Sequence, residues 1–203
     1  ILSHALSPNG QFLFAATEDG TVQMHNLEDG ELVRTFGTAE DLLTRLAVSP
    51  DNLTLGAAST DKHAYLWTIN PPDAGDLAAD EVLAPILTIE HPAGVTGLDF
   101  SNNSTRLATS SADGRVRVWN REDGQLLEWF KPHQGPCLDV DFMDDRTCAS
   151  GGMDKVVKIQ STSVAGVYPV FETAVRDAQL VAAGAQLLVG SAGGDVVLLN
   201  LAN

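Results

Sequence analysis

The 203 residues predict an all-β chain made of about five copies of a four-stranded antiparallel unit, and three observations carry the prediction. Aspartates that precede an alternating segment recur at Asp19, Asp61, Asp113 and Asp154, with Gly193 in the fifth place, at intervals of 42, 52, 41 and 39 residues. Period-2 alternation accompanies them: Val116 and Val118 alternate with Arg115 and Arg117, which gives a strand one apolar and one solvated face. Turn formers recur in register, Ser7-Pro-Asn-Gly and Ser49-Pro-Asp-Asn matching Ser101-Asn-Asn-Ser, and Glu28-Asp-Gly matching Glu122-Asp-Gly.

Taken in chain order, the units fall at 1–36, 42–90, 95–130, 137–171 and 176–203. Residues 1–7 form the first strand of the first unit, and 195–200 a third strand of the fifth, whose outer strand is missing. The long second interval is explained by an insertion over 70–82, rich in Pro, Ala, Asp and Gly, which predicts a surface loop. The third unit is the clearest, its strands parted by Ser101-Asn-Asn-Ser, Ala112-Asp-Gly and Glu122-Asp-Gly. Six residues beyond each marker lie His25, Trp67, Trp119, Gln160 and Leu199, each ending an apolar-alternating segment. The chain opens on Ile1 rather than Met, as expected of a piece of a longer or processed protein.

Twelve Lys+Arg against 27 Asp+Glu give a net charge of -15, which repels phosphate backbones and anionic lipid and argues against nucleic-acid and membrane partners. No apolar run reaches the roughly 18 residues of a membrane span. Two cysteines, Cys137 and Cys148, are too few for a disulfide scaffold or a four-ligand zinc site. A hairpin turn over Met143 to Arg146 places Cys137 near Gly152 and Cys148 near Asp141, too far apart to bridge. Free thiols favour a cytoplasmic or nuclear location over secretion. The sequons at Asn52, Asn102 and Asn103 are read as turn chemistry.

The run from His91 through Arg106-Leu-Ala-Thr-Ser-Ser-Ala-Asp-Gly-Arg-Val-Arg-Val-Trp-Asn resembles a WD repeat of the G-protein-β type, a resemblance that covers the whole chain at graded strength. It implies a β-propeller of four-stranded antiparallel blades, of which about five are present. Family members usually close with seven blades, so a further segment or a partner chain would complete the ring, a closed five-bladed form being the alternative. The resemblance also implies a hydrogen-bonded tetrad in the third blade, His91, Ser111, Asp113 and Trp119. The second blade has Ser59, Asp61 and Trp67 without the His; the fourth has His133 and Asp154 without the Ser and Trp.

Catalytic chemistry finds no foothold. His4, His25, His63, His91 and His133 show neither H-x-H nor H-E-x-x-H spacing, and no nucleophile recurs beside them. Asp139 and Asp141 alternate with Leu138, Val140 and Phe142 and are explained by strand patterning. The run Gly190-Ser-Ala-Gly-Gly leads into a strand rather than a helix and is a hairpin turn, not a phosphate cradle. No catalytic residue, metal site or cofactor is predicted.

An interaction scaffold for a protein or peptide is therefore expected. In the family, partners commonly dock on the narrow face around the channel. Carried over, that face displays Glu18, Leu42, Thr44, Thr60, Thr96, Leu138, Met153 and Arg176, with Leu42, Leu138 and Met153 as apolar anchors and Glu18 and Arg176 as polar ones. The stretch from His133 to Ser150 resembles one blade of transducin-β-like corepressor subunits, which implies a chromatin-associated partner. The S-P-D and A-D-G wording resembles WD-repeat modules of large bacterial proteins, where the propeller senses or docks. The competing class is a propeller enzyme with a central-channel site, for which the inner strands are poor in carboxylates and histidines.

Overall fold

Short alternating segments separated by tight turns leave the backbone one economical solution, the antiparallel hairpin, and the chain is a succession of them. The structure is a computed structural model and describes residues 2–37, 39–69, 81–161, 165–169, 174–181 and 186–200. Among the described residues every regular element is a strand. The chain divides into two compact units, Ile1–Leu98 and Asp99–Asn203.

In the first unit, β1 (Ser3–Leu6), β2 (Phe12–Ala16), β3 (Val22–Asn26) and β4 (Leu32–Phe36) form one sheet, joined at its outer edge by β8 (Val82–Leu83). A second sheet has the order β5 (Leu43–Val48), β6 (Thr54–Ser59), β7 (His63–Thr68), β9 (Leu87–Glu90). The strand β8 departs from expectation. The end of the predicted insertion pairs in parallel with β4, Thr35 facing Val82 and Phe36 facing Leu83, and Leu83 packs on the core while capping an edge that would otherwise be open. The rest of that insertion, 70–80, lies outside the described residues.

The third sheet, β10 (Val95–Phe100), β11 (Arg106–Ser111), β12 (Val116–Asn120), β13 (Leu126–Phe130), opens on the strand in which the division falls. The second unit continues with β14 (Cys137–Phe142), β15 (Cys148–Gly152), β16 (Val156–Gln160), β17 (Ala165–Pro169), and ends with the three-stranded sheet β18 (Val175–Val181), β19 (Gln186–Ser191), β20 (Val196–Asn200).

The turns explain the register. Ser7, Ser49 and Ser101 are buried, and their hydroxyls accept the N–H groups of Phe12 (2.9 Å), Thr54 (2.9 Å) and Arg106 (3.0 Å) across the hairpin. The fourth turn residue then takes the left-handed region, Gly10 at φ 70°, Asn52 at 60° and Ser104 at 59°. Between the second and third strands, Asp19, Asp61 and Asp113 accept the N–H two residues on at 3.1, 2.9 and 3.0 Å, which is why an aspartate marks the repeat.

Within each unit, cores lie between successive sheets. In the first unit Phe14, Met24, Phe36, Leu55 and Trp67 are buried, with Phe36 6.1 Å from Trp67 between ring centroids. In the second unit Val116, Val118, Val140 and Phe142 pack between the third and fourth sheets, and Ala149, Val157, Val175 and Leu187 between the fourth and fifth. Cys137 faces Gly152 and Cys148 faces Phe142, so both buried thiols are free, and burial pushes each thiol pKa up. Arg117, contrary to expectation, is not on a solvated face: β12 is buried on both sides, and Arg117 Nη2 donates to Asp113 Oδ2 at 2.6 Å because a guanidinium removed from water needs a carboxylate.

Candidate functional site

An inner strand has one neighbour in its own sheet, so its free edge needs another use. In three inner strands the register slips at the second residue: between Leu43 and Arg45 in β5, Cys137 and Asp139 in β14, and Val175 and Asp177 in β18. The residues left unopposed are Thr44, Leu138 and Arg176, and a bulge of this kind re-aims a side chain out of the ladder. Leu43, Cys137 and Val175, one step before each, are fully buried. All three unopposed residues are among those expected at the partner surface.

The turn residue before the repeat aspartate, or before Gly193 in the fifth sheet, is clipped back to the start of the same inner strand. Thr60 N–H donates to Leu42 O at 3.0 Å, Met153 N–H to Pro136 O at 3.0 Å and Ala192 N–H to Ala174 O at 2.8 Å. In the first unit this brings Leu42, 44% exposed, against Thr60. Glu18 is exposed on its own turn, and Thr96 is half-buried on β10. Thr44 is half-buried with its hydroxyl donating inward, to Val95 O at 2.9 Å or Ala58 O at 3.2 Å, so it links strands rather than facing a partner. In the second unit Met153 is 53% exposed, Leu138 half-buried and Arg176 exposed.

Trp119 meets a different hydroxyl from the expected Ser111. Trp119 Nε1 donates to Thr109 Oγ1 at 2.8 Å, whereas Ser111 Oγ accepts Asp113 N–H at 3.4 Å. The register explains this: Trp119 stands opposite Leu107, and on that face Thr109 is the next residue along while Ser111 is one further. Burial opposes the charge of Asp113, but the hydrogen bonds from Arg117 and from Arg115 N–H outweigh it and hold the carboxyl below its ordinary value. His91 is buried, its Nδ1 3.1 Å from Ile89 O.

The fourth sheet holds a partner that the sequence pattern does not reveal. His133 is buried with Nδ1 2.8 Å from Asp154 Oδ1 and Nε2 3.0 Å from Ser150 Oγ. The carboxylate fixes the tautomer: Nδ1–H donates to Asp154, and Nε2 accepts the Ser150 hydroxyl. Burial pulls the His133 pKa below its ordinary value despite Asp154, so the ring is neutral. Ser150 occupies the place of Thr109, whereas the place of Ser111 is taken by Gly152, which is why the sequence shows no serine for this blade. In the second sheet the place of Thr109 is taken by Ala57, and the buried Trp67 Nε1 has no acceptor among the described residues.

Carboxyl groups on the inner strands tie neighbouring sheets together. Asp139, buried and not on a solvated strand face, accepts Val140 N–H at 3.0 Å and, across to the next inner strand, Ala178 N–H at 3.2 Å. Asp99 Oδ2 accepts Phe142 N–H at 2.7 Å, and in the first unit Ser3 Oγ accepts Leu46 N–H at 3.1 Å. Asp99 also shares a side-chain hydrogen bond with Asp141; burial and that second carboxylate push its pKa well above the ordinary range. These groups are structural. Among the described residues no cluster of three or more His, Cys, Asp or Glu could hold a metal, and no helix is long and apolar enough to cross a membrane.

The family model described as WD domain, G-beta repeat matches residues 1–26, 30–68, 83–120 and 124–160. The chain is 30% identical over 138 residues to apoptotic protease-activating factor 1 of Rattus norvegicus, covering 63% of this chain and 10% of that protein. It is 29% identical over 143 residues to the pre-rRNA-processing protein crb3/ipi3 of Schizosaccharomyces pombe, covering 66% of this chain and 32% of the relative. The solved structure of U3-55K superposes with a TM-score of 0.88 at 20% identity, over 100% of this chain and 62% of the other, and that likeness speaks for the fold. The chain thus spans a tenth to a third of the length of these two relatives.

Proposed function

The chain belongs to the WD-repeat family, and on that footing we propose that it is a non-catalytic scaffold docking a protein or peptide partner on the starts of its inner strands, at Leu138, Met153 and Arg176 in the second unit and Leu42 and Thr60 in the first. WD-repeat proteins are generally protein-interaction scaffolds, and their propellers bind protein partners. The observation that carries the finer reading is the recurring bulge. It takes Leu138 and Arg176 out of their ladders beside an exposed methionine, on strands otherwise tightly committed to packing. Carboxyl groups that an enzyme would need nearby are spent on backbone N–H groups, as at Asp139 and Asp99. A cytoplasmic or nuclear setting suits the free, buried thiols.

Affinity capture tests the reading with three variants. Met153→Glu and Leu138→Glu remove the partner. Leu53→Glu, as exposed at 57% but at the opposite end of β6 from Thr60, leaves it bound. Equal loss in all three, with melting temperatures unchanged, places the partner elsewhere on the molecule.

A further inference from the structure

Between β13 and β14 the chain makes a turn that opens a cleft of about 420 Å³ lined by Lys131, Pro132, His133, Gln134 and Lys158. In a chain with 27 acidic and 12 basic residues, two lysines lining one cleft, Lys131 just past β13 and Lys158 on β16, are a local reversal of charge. Neither ammonium group forms an ion pair among the described residues. The acid at hand, Asp154, is already committed: Oδ1 takes the His133 ring N–H at 2.8 Å, and Oδ2 faces Gln134 N–H at 3.4 Å. With His133 neutral, Asp154 offsets one of the two lysine charges and the mouth keeps a net positive charge.

The wall is rigid before anything binds. Pro132 and His133 are buried, His133 is fixed by hydrogen bonds at both ring nitrogens, and Gly114 backs onto the loop so closely that a Cβ there would lie 2.6 Å from Gly135 O and 2.9 Å from His133 O. A preformed loop spares a ligand the cost of ordering it. Beside the cleft stands an apolar group: a Cβ on Gly135 would lie 3.9 Å from Met153 Cβ, and Met153 is 53% exposed.

We propose that this cleft receives an anionic side chain, carboxylate or phosphate, of a peptide partner whose neighbouring apolar residue packs on Met153. The inference rests on the docking surface described above and names the chemistry of its occupant. The paired lysines supply attraction and the methionine supplies area. The chain's overall negative charge disfavours acidic peptides elsewhere on its surface, which sharpens the selection of this place.

Calorimetric titration of the 203-residue chain tests this with three short acetylated peptides that alternate leucine with glutamate, phosphoserine or glutamine. The glutamate and phosphoserine peptides bind, the glutamine peptide does not, and the stronger of the two anions tells carboxylate from phosphate. Lys131→Gln with Lys158→Gln weakens binding about tenfold, and the corresponding double change to arginine keeps it within about threefold. Inorganic phosphate competes weakly, because it lacks the apolar neighbour. Equal binding of the glutamine peptide, unchanged affinity in the double glutamine variant, or no binding of either anionic peptide at about 1 mM overturns the proposal. Unchanged affinity in Met153→Ala overturns the apolar half of it. No captured partner enters these titrations, so failure here leaves the capture experiment to judge the docking surface separately.

Discussion

Replacing Asp139 removes the bond that joins β14 to β18, and its cost follows from what is left behind. Ala178 is 1% exposed and its N–H, 3.2 Å from Asp139 Oδ2, points away from its own ladder. Val140, also 1% exposed, donates to the other carboxyl oxygen at 3.0 Å. Neither donor reaches water once the carboxyl is gone, and each orphaned buried N–H costs about 1–3 kcal/mol. Asp139→Ala therefore destabilises the second unit by about 3–5 kcal/mol, and Asp139→Asn, which keeps one acceptor, by about 1–3 kcal/mol.

The exposed counterpart supplies the control. Asp145 Oδ1 accepts Asn103 N–H at 2.8 Å, linking the same two sheets that Asp99 links, but at a solvated turn where water can replace it. Asp145→Ala costs less than about 1 kcal/mol. Because the chain has two compact units, one melting curve does not isolate the effect, whereas amide hydrogen exchange reads it residue by residue. A local loss of about 1–3 kcal/mol speeds exchange of the Ala178 amide about 5- to 160-fold in Asp139→Asn. If that amide keeps its protection, or if Asp145→Ala costs as much as Asp139→Ala, the bond to Ala178 does not hold β14 to β18 and the reasoning fails.

Ala57→Ser places a hydroxyl where Thr109 stands in the third sheet, gives Trp67 Nε1 an acceptor, and raises the urea midpoint of the first unit by the equivalent of about 1 kcal/mol. Gly152→Ala puts a Cβ within 2.5 Å of the His133 ring carbon Cγ, and since that ring is buried and doubly bonded the change costs about 1–3 kcal/mol or more, read as a lowered melting temperature. Asp99 keeps its proton in the folded state over a range where the unfolded chain has lost it, so the folded state binds more protons and stability falls as pH rises above the ordinary carboxylate range near about 4. Asp141→Asn removes one of the two main causes, burial being the other, and urea midpoints between about pH 4 and 8 decline less steeply in that variant.

What the sequence disclosed was whatever the chain settles locally. The turns of Ser7, Ser49 and Ser101, the repeat aspartates and the strands between them depend on partners within a few residues, and pattern suffices to find them. The hydroxyl that Trp119 meets was harder, because Thr109 and Ser111 share a face and only the position opposite Trp119 separates them. That two-residue ambiguity also hid Ser150. Alternation misled at Arg117, since a strand covered on both sides has no solvated face for the pattern to report. Strand β8 pairs with a partner more than forty residues away, and no local signal marks it.

The bulge and the staple in β14 are one feature seen from two sides. Cys137 is anchored opposite Gly152, and Asp139 opposite Gly151, so Leu138 alone has no partner in the ladder. Without that extra residue, strand alternation would place positions 138 and 139 on opposite faces of a continuous ladder, and the two-residue step between Cys137 and Asp139 would be matched by two residues on β15. The slip lets Asp139 meet Ala178 N–H while Leu138 is released at the strand's start. Display of the candidate anchor is thus mechanically tied to the bond that holds the fifth sheet. Asp139→Asn consequently serves as a second reading of the docking surface: partner capture falls with Ala178 protection if the bulge positions Leu138, and survives loss of that protection if Leu138 is held by its own packing.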